Sequence, residues 1–234
     1  MPSTTHHFDA ILFDMDGTLV DSTAGVVGAW HLFAESYPGF KVEDILSSAH
    51  GVRTEENLRT FCGITDEEKL KSEAVRFEQA IVESGGDGIV RLPGVEAIIK
   101  ELGPAAQDSN PCWAICTSAT RAYAQQALSK CQIPVPKVFV TADDVTEGKP
   151  KPRPYILGAE GCGVKDHARC LVVEDAPNGV ISGKAAGCKT LGLVTSHTRE
   201  QIEAVGPDWI VPNLASVVFK RVESGGVDVT INHD

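Results

Sequence analysis

Asp14 and Asp16 stand two residues apart in FDMDGTLVDS, at the end of an apolar run and directly before Gly17. Side chains two apart in an extended segment point the same way, so both carboxylates face one pocket. Like charges held that close require a raised pKa or a cation. A hard divalent ion answers the requirement: Mg2+ prefers oxygen ligands and commonly takes one or two carboxylates together with a substrate phosphate. The arrangement repeats in VVED, residues 172 to 175, where a second apolar run ends in Glu174 and Asp175. A third run, ICTS at residues 115 to 118, ends in the hydroxyls of Thr117 and Ser118, and EGKPKP at 147 to 152 sets Lys149 in a proline-bounded loop. Acids for a metal, a hydroxyl and backbone N–H for an oxyanion, and a lysine for charge are the parts that phosphoryl transfer needs. A lone DxD in an acidic chain reads equally as a solvated strand end. The second acid pair, the hydroxyls and the lysine separate the two readings.

The elements that must position these residues follow from the apolar pattern. Phe8 to Phe13 predicts a short buried strand, and strand-like runs recur at Trp113 to Thr117, Val138 to Thr141, Cys170 to Val173 and Thr190 to Thr195. Helical or turn-rich stretches separate them, which implies a parallel α/β sheet. Between the first strand and the rest the pattern is helical. Val26, Trp30 and Phe33 form one stripe, and Leu70, Ala74, Phe77 and Ile81 form another behind a capping box of Thr65 and Glu68. Ser84 to Gly88 breaks the pattern. Pro93 and Gly103 bracket the helix VEAIIKEL, and Thr198 with Gln201 makes a further capping pattern. In the tail, Val227, Val229 and Ile231 alternate with polar residues after Ser224-Gly225-Gly226, which predicts a terminal hairpin at a sheet edge. The division expected is a core of residues 1–20 and 91–234 with an inserted helical unit at 21–90, hinged near Val20 to Ser22 and Gly88 to Pro93. Ligands of open α/β sheets bind at the carboxyl ends of the strands, so the insert covers whatever Asp14 and Asp16 bind.

The charge balance narrows the partners. The 234 residues carry a net charge of −11, which argues against nucleic acid and an anionic membrane as partners. No apolar run approaches a membrane span, and the first residues, MPSTTHHFDAILF, lack a basic and an apolar signal region. A cytoplasmic, monomeric protein is expected, with His6 and His7 in a flexible terminus. The seven cysteines are scattered without a CxxC pair, and most read as reduced, buried apolar residues.

The ordered set DMDGT, TS, GKPKP and VVEDAPNG resembles the haloacid dehalogenase-like hydrolase superfamily over nearly the whole chain. The resemblance implies a doubly wound, Rossmann-like α/β core with an inserted all-helical cap domain. It implies Asp14 as the nucleophile that forms an aspartyl-phosphate, and Asp16 as acid for the leaving alcohol and then base for water. It also implies Mg2+ held by Asp14, the Asp16 carbonyl and Asp175, with Glu174 a ligand directly or through water. Ser118, with Ala119 offering its N–H, looks like the phosphate-binding element, and Thr117 competes for that place. Lys149 looks like the lysine that neutralises phosphate and orients the nucleophile.

Within the superfamily, dehalogenases lack the second acid, so Asp16 favours phosphoryl chemistry. Phosphonate hydrolases need a cap lysine, whereas Lys41, Lys69 and Lys71 read as solvated. Phosphosugar mutases of the β-phosphoglucomutase type are the main alternative. They carry a cap histidine where this chain has Val26, and His31 lies at another helical phase. In HGVRT, residues 50 to 54, Arg53 is expected on phosphate and His50 near the substrate's hydroxyls. Together with TADDV, GKPKPRPY and GKAAGC, this segment resembles the glycerol-1-phosphatase and 2-deoxyglucose-6-phosphatase group. A Mg-dependent phosphatase of a small sugar or polyol phosphate is the resulting expectation.

Overall fold

The computed structural model describes residues 3–46, 52–84 and 88–232. Its centre is a six-stranded, all-parallel sheet. In chain order the strands are β2 (Ala10–Phe13), β5 (Trp113–Cys116), β6 (Val138–Val140), β7 (Cys170–Glu174), β8 (Lys189–Leu193) and β9 (Trp209–Val211). In space they run β6-β5-β2-β7-β8-β9. The chain starts in the middle, winds out to one edge through β5 and β6, and returns beside β2 to wind out the other way. This is a doubly wound sheet, with its direction of winding reversed beside β2.

Burial on both faces explains why these strands read as apolar runs. Alternation sends Ile11, Phe13, Ile115 and Val173 into one core. Ala10, Leu12, Ala114, Cys116 and Val172 enter a second core on the other face, closed by Tyr155 and Ala159 of helix α7 (Arg153–Gly161). Of the seven thiols, all unpaired, six are buried in these layers and Cys62 is half-buried.

After β2 the chain enters the helical insert: α1 (Thr23–Ser36), α2 (Val42–Leu46), α3 (Thr54–Cys62) and α4 (Glu67–Glu83). Trp30 and Phe33 of α1 pack on Phe77 of α4, with ring centroids 4.6 and 5.0 Å apart. The capping of α4 differs from expectation: Asp66, not Thr65, accepts from Lys69 N at 2.8 Å. Two-residue strands β3 (Val20–Asp21) and β4 (Val90–Arg91) pair antiparallel at the base of the insert. They are too short to leave a periodic signature.

The predicted tail hairpin forms as β10 (Val217–Arg221) and β11 (Val227–Asn232). It does not extend the parallel sheet. Instead, β11 pairs with an N-terminal strand β1 (Ser3–Phe8) in a separate antiparallel sheet, β1-β11-β10. His6 and His7 are therefore ordered, contrary to the reading of a loose terminus: His7 Nδ1 lies 2.8 Å from Asp228 Oδ1 and the His6 ring 4.6 Å from that of Trp209. Phe219 carries this small sheet onto Phe13 of the main core, at 5.5 Å. Among the described residues, no helix is long and apolar enough to cross a membrane.

Candidate active site

The three central strands β5, β2 and β7 end side by side and deliver the chemistry-bearing residues to one edge. Asp14 continues the ladder, its N–H donating to Val173 O at 3.0 Å. The chain then folds back: Leu19 N and Val20 N both donate to Met15 O, at 2.8 and 3.0 Å. Gly17 makes this possible with φ +83°, and its α-carbon lies so near Asp175 that a Cβ would come within 2.1 Å of Oδ2. Thr18, at the same turn, donates to Asp175 Oδ1 at 3.1 Å, a bond between segments 157 residues apart. Ser196 Oγ donates to the other oxygen of Asp175.

Lys149 is buried between two carboxylates, 2.5 Å from Asp14 Oδ1 and 2.7 Å from Glu174 Oε1. Burial alone would lower its pKa, but Asp14 and Glu174 outweigh it and hold the ammonium charged. Its Nζ lies 4.9 Å from the centroid of the Tyr155 ring. Glu174 is saturated: Lys149 and the Tyr155 hydroxyl (2.8 Å) donate to Oε1, and the N–H groups of Asp175 and Ala176 donate to Oε2 at 3.0 Å each.

Oxygens of Asp14, Glu174 and Asp175 lie within 4.8 Å of one another, and all three residues are buried. Burial and the neighbouring carboxylates push Asp14 well above the usual range and Asp175 to about 7, against the opposing effect of Lys149. Three carboxylates facing one ammonium leave a local excess of negative charge with oxygen donors only. A hard divalent cation fits that donor set.

Asp16 is half-buried. Ser22 Oγ (2.7 Å) and Tyr123 OH (2.8 Å) both donate to its Oδ1. Burial raises its pKa, and these two donors partly offset the rise. The Thr117 hydroxyl accepts from Ala119 N at 3.1 Å, so that N–H is turned toward the strand's own side chain. Thr117, Ser118 and Ala119 line a cavity of about 90 Å³ with Asp14 and Asp16 as its floor. Val26, Trp30, Phe77 and Ile81 of the insert form its apolar roof.

Arg53 is not brought to this cavity. Its guanidinium crosses from the insert to the loop before Lys149, where it donates to the carbonyls of Ala142 (3.0 Å), Val145 (2.5 Å) and Thr146 (3.1 Å). The same loop is held by Asp144, which accepts from Thr141 N and Oγ at 2.8 Å and pairs with Arg121. His50 lies outside the described residues.

Five side chains of the site are not singled out by the sequence: Ser22, Tyr123, Tyr155, Ser196 and Glu78. Glu78 carries a signal in retrospect, as a carboxylate inside the apolar stripe of α4 beside Phe77. It is buried, and it faces the cavity.

Residues 8–187 match the family model "Hydrolase: haloacid dehalogenase-like hydrolase". Hexitol phosphatase A of Escherichia coli is 36% identical, over 92% of this chain and 96% of its own. Glycerol-1-phosphate phosphohydrolase 1 of Saccharomyces cerevisiae is 33% identical, over 93% of this chain and 88% of its own. A crystal structure described as a hydrolase from Pseudomonas syringae superposes with a TM-score of 0.73 at 26% identity, covering 88% of this chain and 94% of its own. By its sequence, its fold and its relatives, the chain belongs to the haloacid dehalogenase-like hydrolase family.

Proposed function

We propose that the chain is a phosphomonoesterase that hydrolyses a small polyol or sugar phosphate through a phosphoryl group held covalently on Asp14. The observation that carries this reading is the buried Asp14–Lys149–Glu174 array, whose Asp14 shares the floor of one cavity with Asp16. Lys149 fixes Asp14 by Oδ1 and leaves Oδ2 to attack phosphorus. The Ser118 hydroxyl, at the cavity wall, receives a phosphate oxygen. Asp16 gives a proton to the departing alcohol as the phosphorus–oxygen bond breaks. It then takes a proton from water, which attacks the phosphoryl group and releases Asp14. Both donors to Asp16 meet at Oδ1, so Oδ2 is the oxygen that carries this proton.

Mg2+ is the ion that best suits the donor set. Asp14, Asp175 and the Asp16 carbonyl would hold it, and the four hydrogen bonds to Glu174 favour a water-bridged part for that residue. The bound ion would supply shielding of the charge on the phosphate. The relatives named for glycerol-1-phosphate and hexitol substrates support the substrate class. Val26 in the roof, where the mutase alternative needs a histidine, supports hydrolysis over isomer conversion.

The test is a trapping experiment. Asp16→Asn exposed to substrate and Mg2+ is expected to retain a phosphoryl adduct by intact mass, absent when Asp14→Asn is added to the same chain. Turnover that survives Asp14→Asn would defeat the assignment.

A further inference from the structure

The roof of the cavity holds a single charged side chain among the described residues, Glu78. Its oxygens act only as acceptors. Thr54 Oγ (2.9 Å) and Thr120 N (3.3 Å) donate to Oε1, and Thr120 Oγ donates to Oε2. The Thr120 hydroxyl also accepts from Tyr123 N at 3.3 Å, which leaves its own hydrogen available to Glu78. Three donors converging on its two oxygens favour the carboxylate, against burial and the neighbouring Asp16, which raise its pKa. No cationic side chain among the described residues pairs with it, and it is 4% exposed.

We propose that Glu78 sets the substrate class: the site takes monoesters whose leaving group is neutral and hydroxylated, and rejects those carrying a carboxylate or a second phosphate. The inference rests on the phosphomonoesterase reading above. A substrate hydroxyl can donate to the carboxylate, whereas a second anion in this small cavity meets a fixed negative charge with little water between them. At an effective dielectric of about 20 and a separation of ~6 Å, the repulsion corresponds to about 100-fold in kcat/KM.

Glycerol 1-phosphate and 3-phosphoglycerate test this directly, since they differ in a CH2OH group against a carboxylate. The native chain is expected to favour the polyol ester by ~100-fold. Glu78→Gln keeps the shape and removes the charge. It is expected to narrow the ratio at least ~10-fold, by gaining on 3-phosphoglycerate and losing on the polyol ester. A merely structural residue would slow both substrates together, so an unchanged ratio overturns the proposal. Equal use of both esters by the native chain also overturns it while leaving the phosphatase reading intact. Release from neither, and from none of the hexitol and 2-deoxyglucose phosphates, defeats that reading itself. If the variant fails to fold, inhibition of the native chain decides: glycerol is expected to inhibit more tightly than glycerate, and the reverse order overturns the role of Glu78.

Discussion

A single added methyl group at Gly179 should dismantle the site. Gly179 lies in the first turn of α8 (Pro177–Ala185), with its α-carbon against the Glu174 carboxylate. A Cβ there would sit 1.7 Å from Oε1 and 1.9 Å from Cδ, so the carboxylate must retreat by about 1.7 Å to reach the 3.4 Å of an ordinary contact. Glu174 has no free direction, because Lys149, Tyr155 and two backbone N–H groups already fix both of its oxygens. Loss of two of these bonds, at ~1.5–3 kcal/mol each for a charged acceptor, costs about 3–6 kcal/mol. For a chain of this size that lowers Tm by about 10–20 °C. Lys149 loses its second anchor, and a displacement of that order lowers kcat by ~100-fold. Helix propensity acts the other way, since alanine is favoured over glycine by ~0.5–1 kcal/mol. Gly28→Ala on the exposed face of α1, whose Cβ would meet only Ser84 Cβ at 4.0 Å, is the control and should be mildly stabilising. Thermal melts and phosphate release for the two variants side by side make the comparison. A Gly179→Ala protein that melts like the native chain and keeps its turnover would refute the packing argument.

Other substitutions probe neighbouring parts of the same construction. Lys149→Met leaves Asp14 and Glu174 buried without their cation, and a loss of ~3–5 kcal/mol by denaturant unfolding in chelator is expected together with loss of turnover. Tyr123→Phe removes one of two donors to Asp16 Oδ1, so kcat should fall by ~10-fold with KM nearly unchanged, measured by steady-state kinetics. Burial raises the pKa of Asp144, but the Thr141 and Arg121 bonds outweigh it and the net direction is down. A depressed carboxylate stabilises above its unfolded pKa of about 3.9 and loses that contribution as pH falls through its folded value. Asp144→Ala should therefore cost about 1 kcal/mol at neutral pH, with the difference from the native chain vanishing in acid melts.

The parts of the site that the sequence made visible are those whose meaning is local. Asp14 with Asp16, and Glu174 with Asp175, announce themselves as acid pairs at the ends of apolar runs. In α8, Gly179 and Gly183 let the helix approach Glu174 and Val172 closely. What escaped depends on chain segments far apart. Tyr123 reaches Asp16 across 107 residues, and nothing near either residue signals the bond. β1 reads as a polar terminus because its partner β11 lies at the other end of the chain. β9, only three residues long, lacks enough alternation to separate it from a loop. Arg53 was read as a phosphate ligand from its residue type, but the carbonyls of Ala142, Val145 and Thr146 converge on the guanidinium first.

Phosphate release from glycerol 1-phosphate, hexitol phosphates and 2-deoxyglucose 6-phosphate is the measurement that meets the central claim most directly. It should be run with Mg2+, with a chelator, and with Asp14→Asn. Release should require the metal and disappear in the variant. Release that is indifferent to the chelator or survives Asp14→Asn would contradict it, as would conversion between sugar phosphate isomers without free phosphate.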